Sequence, residues 1–285
     1  MQITVASGKG GTGKTTVATS LAYVAAKSGD PVHLLDCDVE APNCSLFLPL
    51  DLEHKEPVSV SVPAIDSERC TGCGECGNIC EFNALAVLPS DVLVFPELCH
   101  SCAGCWLVCP EKAITPQKRQ IGWLEHGWAA GVRFTQGRLR IGEAQAPPLI
   151  RKVKATAADT DFCIVDAPPG TSCPVVASLE GSDFVLLVTE PTPFGLFDLS
   201  LAVELVRELD LRCAVVINRA DAGDDRVHRY CASEGLDVLL EIPHDRVIAE
   251  AYSRGCTAAR AASHWETTFR HLYVAILAAA AEGVH

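Results

Sequence analysis

Residues 2–16 read QITVASGKGGTGKTT. The stretch begins as a short apolar strand, passes through four glycines and enters a helix-forming run. Gly8-Lys9-Gly10-Gly11-Thr12-Gly13-Lys14-Thr15 fits G-x-x-x-x-G-K-[ST], in the strand-to-helix setting that the motif requires. Glycine lets successive backbone N–H groups turn inward around phosphate oxygens, and the helix start adds positive potential. The motif predicts phosphate contacts from Gly8, Gly10, Gly11, Thr12 and Gly13. Lys14 is expected to reach the β- and γ-phosphates, the Thr15 hydroxyl to ligate Mg²⁺, and Thr16 to touch the α-phosphate.

Around this loop the pattern alternates. A strand at Ile3–Ala6 leads to a helix over 14–28, with Val17, Leu21, Val24 and Ala25 on one face. Strand VHLLD follows at 32–36. Strands are expected again at 162–166, 184–190, 213–218 and 237–243, with helices at about 197–209, 225–234, 245–254 and 263–281. Short apolar strands between helices predict an α/β fold, doubly wound around a mostly parallel sheet. Residues 66–118 break the alternation and read as an inserted α+β unit, which divides the chain into 1–65, 66–118 and 119–285. Residues 119–142 read as short strands with a hairpin turn at Gln136-Gly137. No internal repeat is evident.

Three acids end strands. Asp166, at the tip of FCIVD before Ala-Pro-Pro-Gly-Thr, is the expected Mg²⁺ partner. Asp36 and Asp38 share one side of their strand end. One of them would support Mg²⁺ hydration and the other would orient the attacking water. Asn218, after CAVVIN, offers an amide to an adenine edge, with Asp221 as a weaker candidate beside it.

KGGTGKTT, LLDCD and IVDAPPGTS resemble the motifs of the MinD/ParA/Mrp ATPases, over residues 1 to about 50 and about 150 to 260. The resemblance implies a P-loop NTPase that binds and hydrolyses ATP as a dimer, with itself or with a related ATPase. It gives Lys9 a reach across that dimer and gives Asp38 a part in hydrolysis. It also places Pro243, in IPHDRVIAEAYSRG, in a late adenine-side loop.

The chain has fifteen cysteines, eight of them between Cys70 and Cys109. Cys70-x₂-Cys73-x₂-Cys76-x₃-Cys80 and Cys99-x₂-Cys102-x₂-Cys105-x₃-Cys109-Pro110 both match bacterial [4Fe–4S] ligand spacing. In two-cluster ferredoxins the fourth cysteine of each run serves the other cluster. Cys70, Cys73, Cys76 and Cys109 are therefore assigned to one cluster, and Cys99, Cys102, Cys105 and Cys80 to the other. Zinc is the competing ligand for CxxC pairs. Glu81 replaces the proline expected after Cys80. Residues 66–118 resemble a bacterial-type ferredoxin domain. Cys231 and Cys256 do not form the CxxC pair with which Mrp carriers bridge a cluster between subunits.

The formal charge of −13 disfavours nucleic-acid binding. The start carries no secretory pattern, which predicts a cytoplasmic chain. The tail AAAAEGVH lacks the basic residues that draw a helix to anionic lipid, so no membrane insertion is expected. Three functions follow from the combination. The leading one is ATP-coupled electron transfer with an unidentified redox or metallocofactor protein. The others are iron–sulfur or metallocofactor assembly, and positioning by an ATPase whose clusters are only structural.

Overall fold

In the computed structural model, residues 1–48, 51–89 and 91–281 are described. The last four residues of the alanine-rich tail lie outside them. In chain order the elements start with β1 (Gln2–Ala6), α1 (Lys14–Lys27), β2 (Val32–Asp36) and β3 (Asp51–Ile65). Next come α2 (Glu75–Asn78), β4 (Leu85–Leu88), β5 (Asp91–Val94), α3 (Gly104–Val108), β6 (Ile114–Ala129) and β7 (Val132–Leu139). Then follow α4 (Pro147–Ala155), β8 (Cys163–Asp166), α5 (Cys173–Leu179), β9 (Phe184–Thr189) and α6 (Pro193–Glu208). The chain continues with β10 (Cys213–Asn218), α7 (Arg226–Glu234), β11 (Val238–Ile242), α8 (Arg246–Ser253) and α9 (Ser263–Ala281).

Nine strands form one sheet in the order β11-β10-β9-β1-β8-β2-β7-β6-β3. The run from β11 to β7 is parallel, while β6 pairs antiparallel with both β7 and β3. Helices cover both faces of the parallel part, which is why its strands are apolar in both registers. On one face α1 and α9 bury Val17, Leu21, Phe269, Leu272 and Ile276 against Ile3, Leu34 and Ile164. On the other, α5, α6 and α7 pack on Val185, Leu187, Val215 and Ile217. There α4 covers Leu35, Val165 and Ile121.

Proline hid three elements from sequence reading. The helices α4 and α5 each carry proline in the first turn, where a missing N–H costs nothing. Strand β3 carries Pro57 and Pro63 but lies at the sheet edge, where proline is tolerated. The hairpin turn expected at Gln136-Gly137 is corrected. Both residues lie inside β7, and the turn is Ala130-Gly131, with φ 49° and 83°. A two-residue hairpin of this kind requires positive φ at both positions. Gly137 serves packing instead, since a Cβ there would lie 2.6 Å from Val39 Cγ1 and 2.9 Å from Val153 Cγ2.

The long β3–β6 ribbon carries residues 66–113 at its end. They form a small unit with its own β4–β5 sheet and two short helices, α2 and α3. The expected end of the insertion at residue 118 falls inside β6.

Candidate functional site

A cleft of about 490 Å³ opens at the carboxyl ends of the parallel strands. It sits where the order turns around β1, the place at which open α/β sheets bind ligands. Gly10, Gly11, Gly13, Lys14, Thr15 and Thr16 line its floor. Gly11 and Gly13 hold φ of 81° and 98°, the left-handed geometry that turns the loop. Gly8 packs beneath the loop against the Asp198 backbone, and Thr12 is buried. Neither of those two lines the cleft.

Lys14 is nearly buried, and that burial lowers its pKa against the opposing pull of Asp166, Asp38 and Asp36. Thr15 donates its hydroxyl to Asp166 Oδ2 at 2.6 Å. Asp166 and Asp36 are fully buried, and their ligand atoms lie within 4.8 Å of one another and of the Cys44 thiol. Burial raises the pKa of Asp166, and burial together with the Asp166 charge lifts Asp36 to about 8. Buried carboxylates this close require protons or a cation. Asp166 Oδ1 has no hydrogen-bond partner, so the site fits Mg²⁺ held by Thr15 and Asp166. Asp36 does something further. Its carboxylate accepts the N–H groups of Asp38, Asn43 and Cys44, which anchors the loop that follows β2. This aims Asp38 into the cleft, where burial followed by Asp166 raises its pKa to about 6.

Asn218 lines the cleft and donates its amide to the Thr12 carbonyl at 2.8 Å. Pro243 lines the opposite wall with His244, Ile248 and Tyr252. Asp221 does not line the cleft. Its carboxylate accepts the His244 N–H and fixes that wall from outside. Lys9 also points elsewhere, pairing with Glu190 at 3.4 Å, and Glu190 binds Arg219 at 2.7 Å.

The eight clustered cysteines gather around two small hollows, each of about 20 Å³. Cys70, Cys73, Cys76 and Cys109 line the first. Cys80, Cys99, Cys102 and Cys105 line the second, with Trp106. All eight are free thiols. Burial raises the pKa of Cys76 and Cys105, the latter to about 11, and neighbouring thiols add to both shifts. The Ala84 and Ala113 N–H groups point at Cys80 Sγ and Cys109 Sγ, each at 3.3 Å. Four soft thiol donors at each hollow, plus N–H donors to sulfur, fit a thiolate-bound iron–sulfur cluster.

The reading without a repeat is corrected by this unit. Left-handed backbone recurs at equivalent places in its two halves: Gly72 with Ser101, Gly74 with Ala103, and Asn83 with Lys112. Side-chain identity diverges while backbone geometry is kept, so the sequence showed only the cysteines. One divergence is at the mouths. At the second hollow Phe82 stacks on His100 at 3.7 Å, where the first has Glu111 and Thr71.

The family described as the CobQ/CobB/MinD/ParA nucleotide binding domain matches residues 3–258. The chain belongs to this family. Relatives similar to it include an uncharacterized protein of Methanocaldococcus jannaschii, 30% identical over 90% of both chains. Another is the iron-sulfur cluster carrier protein of Pyrococcus horikoshii, 24% identical over 89% of this chain and 77% of the carrier. Among solved structures, the cell division ATPase MinD of Pyrococcus furiosus matches with a TM-score of 0.61 at 20% identity. That match covers 98% of both chains. MinD of P. horikoshii, solved with Mg-ADP, gives 0.60 at 20% identity, over 97% of this chain and 96% of that one. The chain is thus a P-loop ATPase family member, and the structural likeness shows the shared fold. No helix among the described residues is long and apolar enough to cross a membrane.

Three residues that lie around the cleft and the cysteine unit without lining either escaped sequence reading. Glu190 directly follows β9 on the same sheet edge as Asp36 and Asp166, so the signal that marked those acids also marks it. Cys44 is brought to Asp166 by the loop that Asp36 anchors, and its thiol donates to Asp166 Oδ2 at 3.3 Å. No local pattern marks it. Gln145, in the loop before α4, reaches the cysteine unit and is equally silent in sequence.

Proposed function

We propose that this chain is an ATP-hydrolysing protein of iron–sulfur or metallocofactor assembly. It works as a dimer, and its inserted ferredoxin-like unit holds two [4Fe–4S] clusters. The observation that carries the reading is the gathering of two complete four-thiol sets beside a complete phosphate loop in one chain. Relatives named as iron-sulfur cluster carriers support the assembly role.

The residues divide the work. Backbone N–H groups of residues 10–16 bind phosphate, and Lys14 neutralises charge building on the transferred group. Thr15 and Asp166 would hold Mg²⁺, while Asp38 orients water. Lys9 must leave Glu190 before it can engage a second subunit. Bound clusters would supply iron, sulfide or single electrons to an acceptor.

A second reading, electron transfer without cluster donation, has an observation of its own. Each hollow offers four internal thiolates and N–H···S contacts, which favour retention. Anaerobic purification should give about eight iron atoms per chain, four per cluster. Incubation with ATP, Mg²⁺ and a metal-free acceptor separates the readings. Iron moving to the acceptor supports assembly, whereas iron retained while the clusters cycle supports electron transfer. Zinc in place of iron overturns both.

A further inference from the structure

The two hollows differ in how they meet the ATPase body. The first is lined entirely by residues 65–114. Among the described residues, no side-chain hydrogen bond or ion pair joins segment 70–76 to the parallel-sheet body. The second hollow is tied to it. Gln145, almost fully buried, donates its amide to the Cys99 carbonyl at 3.1 Å and to the Glu97 carbonyl at 3.4 Å. Those carbonyls shape the segment that presents Cys99.

Gln145 is itself held from the body side. Its backbone N–H donates to Glu143 at 3.2 Å, and Glu143 is clamped by both terminal nitrogens of Arg119 on β6. Beyond Gln145 the chain enters α4, whose Leu149 packs against Gly137 of β7. Gly137 touches Val39, and the Val39 carbonyl accepts the Leu139 N–H at 2.8 Å. Val39 directly follows Asp38, which faces the nucleotide cleft. A contiguous set of packed and hydrogen-bonded groups therefore joins the second cysteine hollow to the loop that must respond to the γ-phosphate, and among the described residues segment 70–76 of the first has no side-chain hydrogen bond of that kind.

We infer that nucleotide state is transmitted to a single cluster, the one held by Cys80, Cys99, Cys102 and Cys105, with Gln145 as the positioning residue. The inference rests on the proposed ATPase carrying two clusters. When the Asp38 loop closes on nucleotide, Val39 and α4 shift together, and Gln145 passes that shift to the Cys99 backbone. The other cluster, held by Cys70, Cys73, Cys76 and Cys109, keeps its environment. Coupling is reciprocal, so reduction of the responsive cluster changes nucleotide affinity by the same factor.

The test is a redox titration of the anaerobic full-length protein, followed by EPR, with and without a non-hydrolysable ATP analogue and Mg²⁺. Cys80→Ser assigns the two signals. In the wild type one midpoint moves and the other stays. A tenfold preference of nucleotide for one redox state appears as a shift of about 59 mV. Gln145→Glu keeps the shape but loses the donor, and Gln145→Leu loses both polar atoms. In both variants nucleotide binding and both clusters persist while the nucleotide-dependent shift is lost. A shift retained in both variants overturns the role of Gln145 and leaves the proposed function standing. Equal shifts at both clusters overturn the single-cluster claim. No shift in the wild type overturns the inference, and absence of clusters overturns the proposed function with it.

Discussion

The nucleotide cleft and the cysteine unit are built by opposite means. The cleft draws its walls from residues 10–16, 38–43, 169, 218–219 and 243–252, which only the parallel sheet brings together. Each hollow of the cysteine unit draws three thiols from one seven-residue stretch and a fourth from the other half. The body buries large apolar clusters on both sheet faces, while the unit's own core is small and shares its cysteines with the hollows. A body of this kind folds without ligand, whereas a unit whose core is largely ligand atoms gains stability from metal. The difference teaches where each part should fail.

The sharpest break is at a crossed thiol. Cys80→Ala should remove the cluster shared with Cys99, Cys102 and Cys105, cutting iron to about half. The Cys70, Cys73 and Cys76 set should stay loaded through Cys109, and nucleotide binding should be unchanged. Loss of the Cys70 set instead would show that each run closes on itself. Iron counting with EPR on the variant decides between them. On the other side of the comparison, Lys14→Ala should lower ATP hydrolysis about 10²–10³-fold, the usual scale for removing one preorganised charge-stabilising donor. Iron content should not change, and a fall in it would mean that cluster loading depends on the nucleotide site.

The same contrast explains what was legible. Cysteine spacing is local, so the grouping of cysteines around each hollow, Cys109 with the Cys70 run and Cys80 with the Cys99 run, could be read from the chain, while ligation of clusters by those sets is what Cys80→Ala tests. The phosphate loop was readable because motif, preceding strand and following helix are contiguous. Asp38, Asp166 and Asn218 were marked by their position at strand ends. Gln145 was not marked, because its role depends on which loops the sheet order places together, whereas Glu190 carries the same strand-end signal as Asp36 and Asp166 and was passed over. Proline misled in α4, α5 and β3 because its meaning depends on first-turn or edge position, which a sequence does not display. Asp221 misled in another way. It lies in the expected loop, but its carboxylate turns to the His244 backbone and away from the cleft.

Packing beneath the Asp38 loop gives a smaller effect confined to the body. Gly137→Ala would push a methyl into Val39, Val153 and Leu149, and overpacking of this kind costs about 1–3 kcal/mol. Urea unfolding of the iron-free protein should report that loss, together with weaker nucleotide binding as Val39 displaces its neighbour Asp38. Full stability in the variant would mean that β7 and α4 separate easily, which would also weaken the route from Asp38 to Cys99.

The smallest effect depends on pH and again separates body from unit. His33, on β2, is fully buried and shares the Thr135 hydroxyl with His126, at 2.9 and 3.0 Å. Its Nδ1 has no partner. Burial, with the charges of Arg133 and His126 behind it, lowers its pKa from 6.5 to about 3. The folded protein therefore keeps His33 neutral where the unfolded chain binds a proton. Its contribution is fully present above about pH 6.5 and is lost as pH falls toward 3. The loss runs at about 1.4 kcal/mol per pH unit, reaching about 2 kcal/mol by pH 5. His33→Gln should narrow the difference in urea stability between pH 7.5 and pH 5 by about that amount, without altering cysteine chemistry. An unchanged acid limb in the variant would place the acid sensitivity of the body in groups other than His33.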